Sequence, residues 1–159
     1  MFFSFIIPVY NRPDEIEELL KSFTEQTYQE GFEVVIVEDG SKVSCEHIVD
    51  SYRDQLTLSY YRKSNSGPGL SRNYGSERAS GDYLIFLDSD CVLPKDYFRI
   101  VSQTLTENYI DAFGGPDNAH ADFTVLQKAI NYSMTSFLTT GGIRGVRSEE
   151  HTSELQSRF

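Results

Sequence analysis

Cysteine is scarce in this 159-residue chain: there are two, Cys45 and Cys91. Two thiols do not make the bridged framework that staples small secreted domains, so both are expected to be reduced, as in a cytoplasmic protein. Long hydrophobic runs are also missing. No apolar stretch approaches the roughly 20 residues needed to span a bilayer. The opening "FFSFIIPVY" is too short and lacks a basic leader, so it reads as a strand rather than a signal peptide. Positive charge is in deficit: 14 Lys and Arg stand against 24 Asp and Glu, a formal net charge of -10. That balance argues against nucleic acid as a partner, because phosphate backbones require a basic footprint. It leaves room for one small anionic ligand held through a metal ion. His47, His120 and His151 show no metal-ligand spacing, and there is neither a P-loop nor a readable Ser-His-acid arrangement. Repeats, linkers and low-complexity blocks are absent.

What is present is alternation. Hydrophobic residues make up 39% of the chain and aromatics 13%, as in a globular α/β protein. "FFSFIIPV" is a buried strand by length and content. Asn11-Arg12-Pro13 starts a helix, with Pro13 in its first turn and Asp14, Glu15 and Glu17 near its positive end. Ile16, Leu19, Leu20 and Phe23 form its core-facing stripe. Further strands are expected at "FEVVIVED", "LTLSYYR" and "YLIFLD", and a short fifth at "IDAFGG". Helices are expected over "CEHIVDSYRDQ", after the turn in "SNSGPGLSRNYGSERAS", from Pro94 to about Leu105, and beyond Asp122. Such alternation predicts a parallel sheet with right-handed crossovers, and open α/β sheets bind ligands beyond the carboxyl ends of their strands. Polar and acidic residues gather at those ends: Tyr10-Asn11, Glu38 to Ser41, Arg62-Lys63, Asp88-Ser89-Asp90 and Gly114 to Asp117. The strand interiors are apolar.

Three of these clusters carry chemistry. Asp88-Ser89-Asp90 follows an apolar strand, and carboxylate oxygens are hard ligands suited to Mg2+ or Mn2+ shared with substrate phosphates. Taken alone the triplet reads equally as a solvated acidic turn. Asp39 in "VEDGS" could accept from a base or sugar, with Gly40 permitting a sharp turn; alone it is also ordinary turn chemistry. "GPGLSRN" frees the backbone at a helix start, and Arg72 and Lys63 are candidate counter-charges for a diphosphate.

In order, "SFIIPVYNRPDEIEELLKSFTEQTY", "VVIVEDGS", "NSGPGLSRNYGSERASGDYLIFLDSD" and "FGGPDNA" resemble the nucleotide-sugar-binding half of family-two glycosyltransferases. The resemblance runs from Ser4 to about Val146. It implies the GT-A fold, a Rossmann-like, mostly parallel sheet flanked by helices, here incomplete at the C-terminus. Pro8, Val9, Tyr10 and Asn11 match the segment lining the base-and-ribose pocket. Glu38 and Asp39 match an acidic pair whose second member contacts the base, usually uracil; Glu38 departs from the commoner aspartate. Arg72 and Asn73 match a pair near the nucleotide. Asp88, Ser89 and Asp90 match the acidic motif, with Asp88 toward the ribose and Asp90 toward the divalent cation. Gly114, Gly115, Pro116 and Asp117 match a segment near the donor sugar and the acceptor entrance. The resemblance implies metal-dependent, inverting transfer of a sugar from a nucleoside-diphosphate donor, a UDP-sugar, to a hydroxyl of a carbohydrate or lipid-linked acceptor. The family's catalytic base has no counterpart here, and membrane association of a longer parent at its cytoplasmic face is compatible with the family.

The last thirteen residues, "RSEEHTSELQSRF", have no periodic apolar face and resemble a translated sequencing adapter. Residues 1–146 are therefore expected to be a partial donor-binding domain, residues 147–159 a non-native tail, and the parent protein to continue past Val146. The isolated chain is then expected to bind donor only. Two other readings remain at this point. Asp88 after an apolar strand resembles the nucleophile of haloacid-dehalogenase-like phosphatases, although that motif sits on the first strand and here three precede it. A nucleotide-binding module without catalysis fits as well.

Overall fold

The computed structural model describes residues 1–27 and 31–112. The chain divides into two units, Met1–Ser102 and Gln103–Phe159. Strand and helix alternate through the first: β1 (Phe3–Val9), α1 (Pro13–Thr24), β2 (Phe32–Asp39), α2 (Glu46–Ser51), β3 (Leu58–Lys63), α3 (Pro68–Ser76), β4 (Tyr83–Phe86) and α4 (Tyr97–Glu107), which runs across the division. In the second unit the described residues are the end of α4, where Gln103 Nε2 donates to Glu107 Oε1 at 2.7 Å, and the segment after it. The strands form one parallel sheet in the order β3-β2-β1-β4. β1 is thus central, pairing Phe3 with Phe32 on one side and with Tyr83 on the other.

Each face of the sheet is covered by a different kind of contact. On one face Phe5 meets Phe23 of α1 edge-on at 5.0 Å and Phe98 of α4 at 4.9 Å, and Phe32 meets Phe98 at 4.5 Å between ring centroids. Such aromatic contacts add to the burial of four large rings. On the other face Ile6, Val35 and Val37 lie under α3. Gly75 is what lets that helix approach: a Cβ there would stand 2.7 Å from Ile6 Cγ2 and 3.2 Å from Val37 Cγ2. Pro13 opens α1 as expected, and Pro68, read from the sequence as part of a turn, opens α3.

Several boundaries differ from the sequence reading, each for a local reason. β4 stops at Phe86, so Asp88 lies past the strand; the last bond to β1 runs from Leu87 N–H to the Ile6 carbonyl, after which Cys91 N–H turns back to the Asp88 carbonyl. β4 also alternates, with Tyr83 and Ile85 buried and Leu84 and Phe86 exposed, rather than being buried on both faces. α2 is short, since residues 52–55 continue only as turns. α4 begins at Tyr97 instead of Pro94, because the Pro94 carbonyl accepts from Gln26 Nε2 and from Tyr97 N–H. Residues 110–112 of the expected fifth strand are irregular, and the rest of it, the helix beyond Asp122 and the tail from Arg147 lie outside the described residues. Strand interiors are not wholly apolar either: β2 buries Glu33, Glu38 and Asp39. Glu33 is accommodated at the amino edge, where its Oε1 accepts from Ser4 Oγ, Ser80 N–H and Ser80 Oγ. Burial pushes its carboxyl upward, but these hydrogen bonds outweigh that and hold it below the usual range. No helix among the described residues is long and apolar enough to cross a membrane.

Candidate functional site

The carboxyl ends of all four strands open on one edge, and the loops there are tied to each other by side chains. Asn11, just past β1, has φ of 55°, a left-handed conformation that asparagine tolerates. Its N–H donates to Ser41 Oγ at 2.9 Å, and its Oδ1 accepts from Lys42 N–H at 2.7 Å. The loops after β1 and β2 are therefore buttoned together, and the side-chain oxygen of Asn11 is engaged by backbone. Before it, Pro8 and Val9 are buried within the strand, while Tyr10 is about half exposed at 49%. Gly40 has φ of 71°, and a Cβ on it would stand 2.6 Å from Asn65 N, so the turn expected from Asp39-Gly40-Ser41 is present and closely covered.

Asp39 is the hub of this edge. Its carboxylate is almost wholly buried, yet both oxygens are satisfied. Oδ1 accepts from Lys63 Nζ and from Ser66 N–H at 2.9 Å, and Oδ2 from Gly67 N–H at 2.8 Å. Asn65 Nδ2 donates to its carbonyl at 2.9 Å. Burial alone would raise the Asp39 carboxyl; Lys63 and the two backbone donors outweigh it and hold it below the usual carboxylate range. The loop 64–67 and the start of α3 are thereby fixed against the end of β2. Lys63, read from the sequence as a counter-charge to phosphate, is the partner of Asp39.

Glu38 points the other way and is fully buried. Its Oε2 accepts from Tyr60 Oη and from Ser44 Oγ at 2.9 Å, whereas Oε1 is buried with no hydrogen-bond partner. Cys45 lies close enough that burial first, then the Glu38 charge, push its thiol up to about 12. Nothing in the pattern of Glu38-Asp39 distinguishes the inward from the outward carboxylate except strand alternation.

The acidic turn lies at the end of β4. Asp88 pairs with Arg72 of α3, NH2 to Oδ1 at 2.5 Å, both groups partly solvated. Ser89 Oγ donates to Glu15 Oε2 of α1 at 2.9 Å, and Glu15 Oε1 accepts from Arg12 at 2.9 Å. Asp90 is exposed and makes no hydrogen bond or ion pair among the described residues. Asn73 is exposed on α3. The structure therefore brings Tyr10, Asn11, Asp39, Arg72 and Asp88 to Asp90 to one edge of the sheet, as the sequence suggested, but takes Pro8, Val9 and Glu38 into the interior. Gly114, Gly115, Pro116 and Asp117 lie outside the described residues. The sequence does not single out Glu15 or the 64–67 backbone: Glu15 reads there only as a favourable charge at a helix start.

Among the described residues no three His, Cys, Asp or Glu side chains converge on one point. The donor set at the acidic turn is two hard carboxylates, one already engaged by a guanidinium and one free. That set fits a cation which takes most of its oxygens from phosphates and water, as Mg2+ commonly does, and does not fit an all-protein cage.

The chain matches the family description "Glycosyl transferase family 2" over residues 4–153. An uncharacterized glycosyltransferase of Rickettsia conorii is 38% identical over 105 residues, which are 66% of this chain and 17% of that protein. The poly(ribitol-phosphate) beta-N-acetylglucosaminyltransferase TarS of Staphylococcus aureus is 36% identical over 114 residues, 70% of this chain and 20% of that protein. The crystal structure of TarS in complex with UDP-GlcNAc aligns with a TM-score of 0.66 at 33% identity, over 74% of this chain and 37% of that one. A mannosyltransferase of Pyrobaculum calidifontis in complex with GDP-Man and Mn2+ aligns with a TM-score of 0.61 at 25% identity, over 67% and 32%. The chain spans about a fifth of the length of these curated relatives. With the family matched over residues 4–153 and a parallel four-stranded sheet that aligns with these GT-A structures, the chain belongs to glycosyl transferase family 2.

Proposed function

We propose that this chain binds a nucleoside-diphosphate sugar, a UDP-sugar, at the carboxyl edge of its sheet, and that the whole protein transfers the sugar to an acceptor hydroxyl with inversion. The observation that carries this is the pairing of a fully satisfied hub at Asp39 with an acidic turn whose Asp90 has no partner among the described residues. The binding of UDP-GlcNAc by TarS and of GDP-Man and Mn2+ by the mannosyltransferase supports it. Asp88 and Asp90 would hold Mg2+ or Mn2+, which when bound offsets the charge of the departing diphosphate. Arg72 balances Asp88 and keeps a cation next to the phosphates. Lys63 and Asp39 fix the loop 64–67, whose backbone would otherwise be free to close the site. The free end at Tyr10 offers a ring face to a base or ribose. In this reading the two aspartates retain the leaving nucleotide and neither acts as acid or base. The phosphatase alternative is disfavoured by the family membership and by Asp88 being neutralised by Arg72, which weakens a nucleophile.

Calorimetry with UDP, with and without Mn2+, tests this. UDP is expected to bind tighter with Mn2+ than without, and Asp90→Asn to abolish that gain. No binding in either condition refutes the donor site; binding indifferent to Mn2+ refutes the metal.

A further inference from the structure

Two side chains of α1, and Gln26 just past its end, hold the segment that follows β4. Glu15 Oε2 accepts from Ser89 Oγ at 2.9 Å, Ser22 Oγ from Leu93 N–H at 3.1 Å, and Gln26 Oε1 from Phe98 N–H at 3.2 Å. Positions 15 and 22 fall on one face of α1, seven residues apart, and Gln26 follows two residues past the helix end. The segment therefore runs alongside α1 and is gripped at three successive points. Asp90 sits between the first and second grips. Its own carboxylate has no partner among the described residues, so its placement there depends on the flanking grips. On the β4 side Leu87 N–H donates to the Ile6 carbonyl and Cys91 N–H to the Asp88 carbonyl, each at 3.2 Å.

Glu15 is suited to this role and to little else. Arg12 pairs with its Oε1 and offsets its charge, so a carboxylate can bond to the acidic turn through Ser89 at less electrostatic cost. Only Oε2 is left for Ser89. With 27% of the side chain exposed, Glu15 is packed against the helix start rather than extended into solvent.

We infer that Glu15 is a positioning residue: through Ser89 it sets the acidic turn so that Asp90 is the carboxylate presented to the cation. The inference rests on the donor-site reading above. It assigns to α1 a part in metal-assisted nucleotide binding.

The test is UDP affinity of the 159-residue chain with and without Mn2+, measured by calorimetry for wild type, Glu15→Ala, Ser89→Ala, Glu15→Gln and the double alanine variant, with thermal melts alongside. Each single alanine variant is expected to reduce the Mn2+-dependent gain in affinity about tenfold, the scale of a lost hydrogen bond to a charged acceptor. Metal-free UDP affinity is expected to stay within about twofold, because the hub at Asp39 is untouched. The double variant should be no worse than either single one, since both remove the same bond. Glu15→Gln should retain most of the gain, its amide oxygen still accepting from Ser89. Alanine variants that keep the full Mn2+ gain overturn the inference while leaving the donor site standing. So does a loss that falls equally on metal-free and metal-dependent binding. A wild-type chain with no Mn2+ gain overturns both.

Discussion

The substitution Asp39→Asn isolates the hub of the carboxyl edge. Both Asp39 oxygens accept from backbone N–H groups, Ser66 on Oδ1 and Gly67 on Oδ2. Whichever way an asparagine amide is turned, its NH2 faces one of those donors. The change also leaves the Lys63 ammonium, 14% exposed, without its anion. Removing one partner of a well-buried ion pair costs about 3–5 kcal/mol. Lys63 retains some access to water, which favours the lower end, about 3 kcal/mol. For a chain of this size that corresponds to a fall in Tm of roughly 10 °C. The pH dependence gives a second check. The folded-state pKa of Asp39 is depressed, so its stabilisation is present above the unfolded value near 3.8 and is lost as pH falls through the lower folded value. Urea unfolding of wild type and variant should therefore differ by about 3 kcal/mol at pH 7, and the gap should narrow below pH 4. A difference under about 1 kcal/mol at pH 7, or a gap that stays constant down to pH 3, refutes the assignment of Asp39 as a charged clamp.

Two further predictions follow from packing and burial. Gly75→Val should destabilise the chain by about 1–3 kcal/mol in urea unfolding, because even its Cβ meets Ile6 at 2.7 Å; an unchanged midpoint would show that α3 is free to lift from the sheet. Cys45, with its thiol pushed up to about 12 by burial and by Glu38, should resist iodoacetamide at pH 8 in the folded chain and react at once in urea. Peptide mapping of the alkylated protein distinguishes it from Cys91.

Local signals were legible in the sequence and long-range ones were not. The start of α1 could be read because Pro13 acts on its own backbone, and a helix near α3 because a Gly/Pro turn precedes it. Gly40 could be read because a tight turn after Asp39 calls for a positive φ. The gathering of acidic groups at one edge followed from strand direction alone. What was hidden depends on partners far along the chain. Glu33 reads as a surface charge until Ser4 and Ser80 are seen to satisfy it from 29 and 47 residues away. Lys63 reads as a phosphate ligand until β3 is placed beside β2 and delivers it to Asp39. Apolar content continues to Leu87 and so overstates the end of β4, whereas the last bond to β1 is from Leu87 N–H to the Ile6 carbonyl, and Pro8, two residues on, has no N–H to continue the ladder. Glu15 gave no signal at all, since its partner Ser89 lies 74 residues on.

The central position of β1 has a consequence in time. This strand is the first to be synthesised, and its β2 partner is complete by residue 39, but its other edge pairs with a strand eighty residues later. At a translation rate of about 5–20 residues per second, that edge stays unpaired for roughly 4–16 s in the growing chain. During that interval an apolar strand, Phe3 to Ile6, presents open backbone donors and acceptors to any other nascent strand nearby. The same interval delays the acidic turn, which cannot take its place until β4 docks. The acidic turn proposed to hold a cation is therefore formed only after the interval in which this edge of β1 is open.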